Sequence, residues 1–108
     1  MNIADQLYTQ GYAFRSDAAI DLFGHTKFAD FIILHPASTA DNLIEIPWEH
    51  AGMMDDARYL GSFMQKFELY CSAGYIPGIN CIWTFETAGH PLDNTAIREA
   101  IETLRRMK

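Results

Sequence analysis

The sequence lacks the features that mark several protein classes. No apolar run in its 108 residues approaches the roughly 18 residues of a membrane span, the longest candidate being residues 28–34. The N-terminal segment has neither the basic residues nor the apolar stretch of a secretory leader. Lysine and arginine number eight against 14 acidic residues, so the net charge is −6. We therefore expect a cytoplasmic, acidic protein that binds neither membranes nor nucleic acid, because nucleic-acid backbones are held mainly by dense basic surfaces.

Motifs of common small enzymes are also missing. The seven glycines form neither of the phosphate-binding patterns G-x-x-x-x-G-K and G-x-G-x-x-G, and no H-E-x-x-H zinc motif occurs. The two cysteines, Cys71 and Cys81, have no C-x-x-C or zinc-binding spacing. We expect both to be buried free thiols, with a disulfide possible only in an oxidising compartment. These patterns predict no cofactor.

The sequence is rich in apolar residues, which make up 49% of the chain and include seven Phe, five Tyr and two Trp. This content is sufficient for one globular domain over residues 1–108. Periodicity and turn residues predict an α/β (α+β) fold of element order α-α-β-β-α-β-α. In this fold helices pack on a small mixed sheet of about three strands. The second helix is expected over residues 17–23, with Ser16 as its N-cap and Gly24 at its exit.

The central part of the predicted fold is a strand–helix–strand unit. Residues 28–34 and 43–48 are expected to be antiparallel strands because their connection is short. A long helix over residues 56–73, capped by Asp55, is expected to turn one apolar stripe to the sheet. A parallel crossover then leads to residues 79–85, whose two apolar faces are typical of an interior strand. A last helix covers residues 95–107. The stripe consists of Ala57, Leu60, Met64, Phe67 and Cys71, and Phe63 and Tyr70 widen it.

Two carboxylates inside the predicted strands are the best candidates for a chemical site. Asp30 lies in the first strand and Glu45 in the second, and a charge buried in an apolar strand is costly unless it is paired or binds a metal. Carboxylates on adjacent strands can share Mg²⁺, which prefers oxygen ligands. Glu49 and His50 could extend the site as ligand and proton carrier. The alternative is a sheet face that simply exposes these carboxylates to water.

The two strand segments, F-A-D-F-I-I-L and L-I-E-I-P-W, resemble the restriction-endonuclease-like (PD-(D/E)XK) superfamily. That superfamily places an Asp on one strand and Glu-x-Lys on the next around Mg²⁺, and the resemblance extends over residues 16–86. It implies a metal-dependent nuclease or phosphodiesterase with Asp30 and Glu45 as metal ligands. Two parts of the pattern are missing. Pro47 stands at the lysine position, and one core strand has no counterpart, because only residues 25–27 separate the second predicted helix from the strand.

A cluster of soft and aromatic residues precedes and begins the long helix. Trp48, Met53, Met54 and Tyr59 are candidate partner-binding residues, because Met and Trp are common at adaptable contact surfaces. Met64 is assigned to the core instead. The long helix has more apolar width than a small sheet covers, so a symmetric homodimer could bury the surplus.

The sequence therefore favours a non-catalytic, protein-binding function, as a dimeric adaptor or inhibitor-type module. The alternative is a Mg²⁺-dependent phosphodiesterase with Asp30, Glu45, Glu49 and His50 in its site. Whether the chain is an enzyme stays open at this point.

Overall fold

The computed structural model describes residues 2–107, which form a mixed α+β fold of three helices and one four-stranded sheet. The elements, in chain order, are α1 (Ile3–Thr9), β1 (Ala13–Leu22), β2 (His25–Leu34), β3 (Glu45–Ala51), α2 (Ala57–Ser72), β4 (Ile82–Phe85) and α3 (Asn94–Arg106). The predicted mixture of helices on a mixed sheet is confirmed. The sheet has four strands instead of about three, because the second element is a strand.

The prediction of a helix over residues 17–23 is wrong, because this segment belongs to β1. It forms a hairpin with β2, in which Ala13 lies opposite Leu34 and Leu22 opposite His25. Ser16 is therefore a strand residue and not a helix cap. Phe23 and Gly24 make the turn with φ angles of 53° and 80°, the positive values that two-residue hairpin turns require. Pairing with β2, the segment that follows directly in the chain, has overridden the helix signals of residues 17–23.

The sheet order is β1-β2-β3-β4, with antiparallel pairing between β1 and β2 and between β2 and β3. β3 and β4 are parallel, which confirms the predicted crossover through α2. β4 lies at an edge of the sheet, so the prediction of an interior strand is wrong. Its apolar character arises because helices cover both of its faces. Ile82 joins the core beside α3, and Trp83 packs on Phe63 of α2.

The main core lies between α1, α3 and one face of the sheet. It stabilises the fold through the burial of large side chains, each worth roughly 1.5–3 kcal/mol. Its fully or almost fully buried members are Ile3, Leu7, Ile33, Ile46, Trp48, Ile82, Ile97, Ile101, Leu104 and Met107. Among residues 2–107, no helix has the length and apolar character needed to cross a membrane.

The orientation of α2 on the other sheet face differs from the prediction. The helix begins after Asp56, whose carboxylate caps the first turn, and not after Asp55. Its only buried side chain is Tyr70. The predicted inward stripe is largely exposed: Met64, which we assigned to the core, is 56% exposed, and Cys71 is exposed as well. Cys81 is buried, as expected, and both thiols are free.

A polar requirement explains this rotation of α2. The helix turns Lys66 and Tyr70 toward the sheet, where both bind the buried carboxylate of Glu49. A buried carboxylate is costly without donors, and these two residues supply them. Leu60 and Met64 lie on a different side of the helix and are left in contact with solvent.

Candidate functional site

The candidate site forms where β2 and β3 separate, and we call the residues at this point, Asp30 and Glu49, the acidic fork. Their ladder includes the pair Phe31 and Trp48, and beyond it two carboxylates take the place of main-chain acceptors. Glu49 Oε1 accepts the N–H of Asp30 at 3.2 Å, and Asp30 Oδ2 accepts the N–H of His50 at 2.7 Å. These bonds satisfy main-chain donors that a widening ladder would leave unpaired. They also hold each carboxylate against the main chain of the neighbouring strand.

Glu49 is the most constrained acid of this site. Its side chain is only 4% exposed, and its Oε2 atom lies 2.6 Å from Lys66 Nζ. The hydroxyl of Tyr70 donates to the same oxygen at 3.0 Å. Burial raises the pKa of Glu49, while the hydrogen bond and the charge of Lys66 oppose that rise. Burial and the neighbouring Glu49 charge also raise the pKa of Tyr70, so the phenol stays protonated and donates its proton.

Lys66 reaches the fork from α2 and was not singled out from the sequence. Its ammonium group also donates to the carbonyl oxygen of Phe28 at 2.8 Å, so it connects β2, β3 and α2. The sequence does contain a pattern that indicates this role of Lys66. Lys66 falls at helical spacing between Phe63 and Tyr70, on the side of α2 that packs on the sheet, where a lone lysine needs an acidic partner.

His50 is held by two further residues that the sequence analysis did not identify. Its Nδ1 atom lies 2.8 Å from Thr84 Oγ1, and its Nε2 atom lies 2.7 Å from Glu86 Oε1. Thr84 in turn accepts the indole N–H of Trp48 at 3.1 Å. The bond to His50 lowers the pKa of Glu86, as does the main-chain N–H of Leu92. Both ring nitrogens are thus engaged, and the ring of His50 is held in one orientation.

The acidic fork opens into two clefts. One, of about 240 Å³, is lined by the fork and by α2: Asp30, Glu49, His50, Tyr59, Ser62, Phe63, Lys66 and Trp83. The other, of about 630 Å³, lies toward α1 and includes Asp17, Phe31 and Glu86. Asp30 and His50 border both clefts. Asp30 is therefore the acid of the fork that a ligand can reach from either side.

Comparison of the chain with models of protein families, with curated protein sequences and with solved structures finds no match.

The structure does not bring Glu45 to this fork. Glu45 begins β3 opposite Leu34, four residues along β2 from Asp30, a separation of roughly 13 Å in an extended strand. Its carboxylate forms an exposed ion pair with Arg15 at 2.6 Å. The solvated alternative thus describes Glu45, whereas the residue that joins Asp30 is Glu49. Pro47, at the lysine position of the resemblance, is buried.

The predicted partner-binding residues are dispersed. Trp48 is fully buried in the core and offers no surface to a partner, because its indole ring fills the space between the sheet and the helices. Tyr59 is half-buried, and its hydroxyl accepts the N–H of Gly52 at 3.1 Å. Met54 is half-buried too, whereas Met53 is 52% exposed. Of the four, Met53 alone presents a large apolar surface.

The hypothesis of a metal site requires only two protein ligands, and not a coordination shell made entirely of protein atoms. Residues 2–107 contain no group of three or more His, Cys, Asp or Glu residues that could hold a metal ion. Mg²⁺ is commonly bound through one or two carboxylates, with water and substrate phosphate completing its shell. The adjacent carboxylates of Asp30 and Glu49 fit that donor set, and one oxygen of Asp30 has no hydrogen bond to protein among the described residues.

Proposed function

We propose that the chain hydrolyses phosphodiesters with a divalent metal ion bound by Asp30 and Glu49. The observation that carries the proposal is the placement of two carboxylates and the Lys66 ammonium at one fork of the sheet, next to a cleft. Clusters of perturbed, partly buried titratable groups at a cleft are typical of functional sites. The proposal keeps the reaction that the resemblance implied and moves one ligand from Glu45 to Glu49.

Two features missing from the sequence pattern have counterparts that support this proposal. β1 supplies a strand ahead of β2, where the sequence predicted a helix. Lys66 supplies an ammonium group from α2, where the motif position holds Pro47. The net charge of −6 still opposes long nucleic acids, so the proposed substrate is a small phosphodiester.

Each residue has a defined part in the proposed reaction. A divalent ion at this fork would neutralise phosphate charge and lower the pKa of a bound water. Asp30 is the accessible ligand, and Glu49 is the buried ligand that the Tyr70 hydroxyl orients. Lys66 opposes the rise in the pKa of Glu49 that burial causes, and it places a positive charge beside the cleft, which favours an anionic substrate. His50 positions Asp30 through its main-chain N–H.

Calorimetric titration of Mn²⁺ and Mg²⁺ tests the metal site. Wild type should bind one ion saturably, Asp30→Asn should lose that binding, and Glu45→Gln should retain it, because Glu45 lies in a separate ion pair. Hydrolysis of bis(p-nitrophenyl) phosphate with Mn²⁺ should follow the same pattern. If wild type binds no ion at millimolar metal, or if Asp30→Asn binds as well as wild type, the proposal is wrong.

The second candidate is the non-catalytic protein-binding function, as an adaptor or inhibitor. The observation that favours it is α2, a 16-residue helix in which only Tyr70 is buried. A helix with this much open apolar surface is typical of a protein-binding face. If no metal binds, and a stable complex with another protein is abolished by Met64→Asp but not by Asp30→Asn, this candidate replaces the first.

A further inference from the structure

One side of α2 does not pack on the sheet and is left exposed. On its inner side Lys66 contacts β2 and β3, whereas Phe67 packs on Trp83 of β4 with 5.4 Å between ring centroids. Continuing around the helix in the same direction, past Phe67, come Leu60, Met64 and Cys71, which therefore lie beyond β4. Leu60 is 38% exposed and Met64 is 56% exposed.

β4 itself is an open edge. Its four residues pair with β3 on one side, and within residues 2–107 no strand pairs with its other side. Proteins usually protect such an edge by keeping the strand short, or with charged residues, proline or a bulge. β4 is short, with four residues. The strand Ile82–Phe85 has no charged residue and no proline, and Phe85 is 48% exposed. This edge is therefore suited to pairing with another strand.

The exposed residues on this side of the molecule form a surface that we name the α2–β4 flank. It consists of Leu60, Met64 and Cys71 of α2, Ile76 and Ile79 in the connection to β4, and Phe85 of β4. α2 packs against β4 at a second point, where the ring centroids of Phe63 and Phe85 lie 5.7 Å apart. No residue of the flank carries a charge.

The apolar area of this flank matches the requirement of a dimer. Taking roughly 200 Å², within the 150–250 Å² of an aromatic residue, as the full surface of each residue, the exposed parts of the two Ile residues, Leu60, Met64 and Phe85 amount to at most about 500 Å². A standard interface buries roughly 800 Å² per partner, of which about 65% is apolar in homodimers. The flank thus supplies about the apolar area that one side of such an interface contains.

We infer that two copies of this chain bind each other through the α2–β4 flank about a two-fold axis, with β4 antiparallel to β4 of the second copy. A two-fold axis places the same patch on both sides of an interface, and an open edge strand can pair with itself in this way. The uncharged flank lets two chains of net charge −6 approach without like charges meeting at the centre. The inference does not depend on the proposed hydrolysis. It gives the protein-binding candidate a specific partner and shares that candidate's surface.

Sedimentation velocity of the purified chain tests the inference. Wild type should sediment as a dimer at about 50 μM, within the micromolar-or-tighter affinity of standard interfaces. The double variant Leu60→Asp/Met64→Asp should be monomeric, and so should Phe85→Lys, which places a charge at the strand edge. Gln65→Asp is the matched control, because Gln65 is an exposed residue of α2 outside the flank, and it should remain dimeric.

A wild-type monomer at about 100 μM would overturn the inference, as would a dimer that survives both flank substitutions. Neither result would touch the proposed hydrolysis, which the Asp30→Asn titration tests separately. A wild-type monomer that binds a different protein through Met64 would also overturn self-association, while the protein-binding candidate would stand. Circular dichroism should show wild-type helix content in the flank variants and in Gln65→Asp, since their substituted side chains are exposed.

Discussion

The ion pair between Glu49 and Lys66 gives the most direct test of how the fork is held together. Replacing Lys66 with methionine keeps the length of the side chain and removes its charge. Glu49, which is 4% exposed, then loses its ammonium partner and keeps only the Tyr70 hydroxyl and a main-chain N–H. Breaking a buried ion pair from one side costs roughly 3–5 kcal/mol.

The structure places the cost of Lys66→Met at the lower end of that range. Water reaches the ammonium group, because the Lys66 side chain is 30% exposed, and this contact weakens the pair in the wild type. The substitution also removes the 2.8 Å bond to the Phe28 carbonyl oxygen, worth about 1 kcal/mol. We therefore expect the free energy of unfolding to fall by about 3 kcal/mol at pH 7.

The loss of stability should depend on pH in a defined direction. Burial raises the pKa of Glu49 from its ordinary value of 4.5, and without Lys66 the pKa should rise further. A group with a raised folded pKa contributes stability that is full below its unfolded pKa and is lost as the pH rises through its folded pKa. At pH 4.5 a protonated Glu49 needs no ammonium partner, so the cost of Lys66→Met should fall to about 1 kcal/mol, the carbonyl bond alone.

Urea unfolding at pH 4.5, 5.5 and 7 measures these differences. Lys27→Met is the matched control: Lys27 is an exposed lysine of β2, and its loss should change stability by less than about 0.5 kcal/mol at each pH. The double variant Glu49→Gln/Lys66→Met, which leaves no buried charge, should be more stable at pH 7 than Lys66→Met. A cost of Lys66→Met that is equal at pH 4.5 and pH 7 would refute the reasoning.

Two further predictions concern the hairpin turn and the cysteines. Phe23→Asn should raise the free energy of unfolding by about 0.5–1 kcal/mol in urea titration, because asparagine tolerates the φ of 53° that phenylalanine adopts only with strain; lower stability would contradict the turn geometry. At about 1 μM and pH 8, iodoacetamide should label Cys71 and spare Cys81, as read by mass spectrometry. Burial raises the pKa of the Cys81 thiol to about 11, so equal labelling would contradict its burial.

The sequence predicted well where a local pattern coincided with a tertiary role. The β-branched and aromatic content of residues 28–34 and the short connection after them were sufficient to predict antiparallel β2 and β3. The length of the α2 pattern and the apolar run after it predicted the parallel crossover. Asp30 was named as a candidate because a charged group in an apolar strand needs a partner wherever the strand lies, and Glu49 and His50 were named because they directly follow the second predicted strand.

The site was only partly predictable, because the residues that form it depend on the register between β2 and β3 and on the rotation of α2 about its axis. Asp30 and Glu45 were paired in the prediction, but the ladder sets Glu45 opposite Leu34 and brings Glu49 to Asp30. A change of a few residues in register moves a side chain by more than the length of any hydrogen bond, and no single-strand pattern states the register. Lys66 entered through the rotation of α2, which its bond to Glu49 helps to fix.

The sequence by itself determined the composition of the fold: its acidic charge, its apolar strands, the capped helix α2 and the acids that must find partners. Tertiary structure alone decided that residues 17–22 extend as β1, because their pairing with β2, which is itself held in the sheet by β3, outweighs a short, weak helix propensity. It also decided which of the two apolar sides of α2 is buried. The apolar pattern of the helix allows either side to face the sheet. The side that carries Lys66 and Tyr70 is buried because Glu49, a buried residue of β3, required their hydrogen-bond donors.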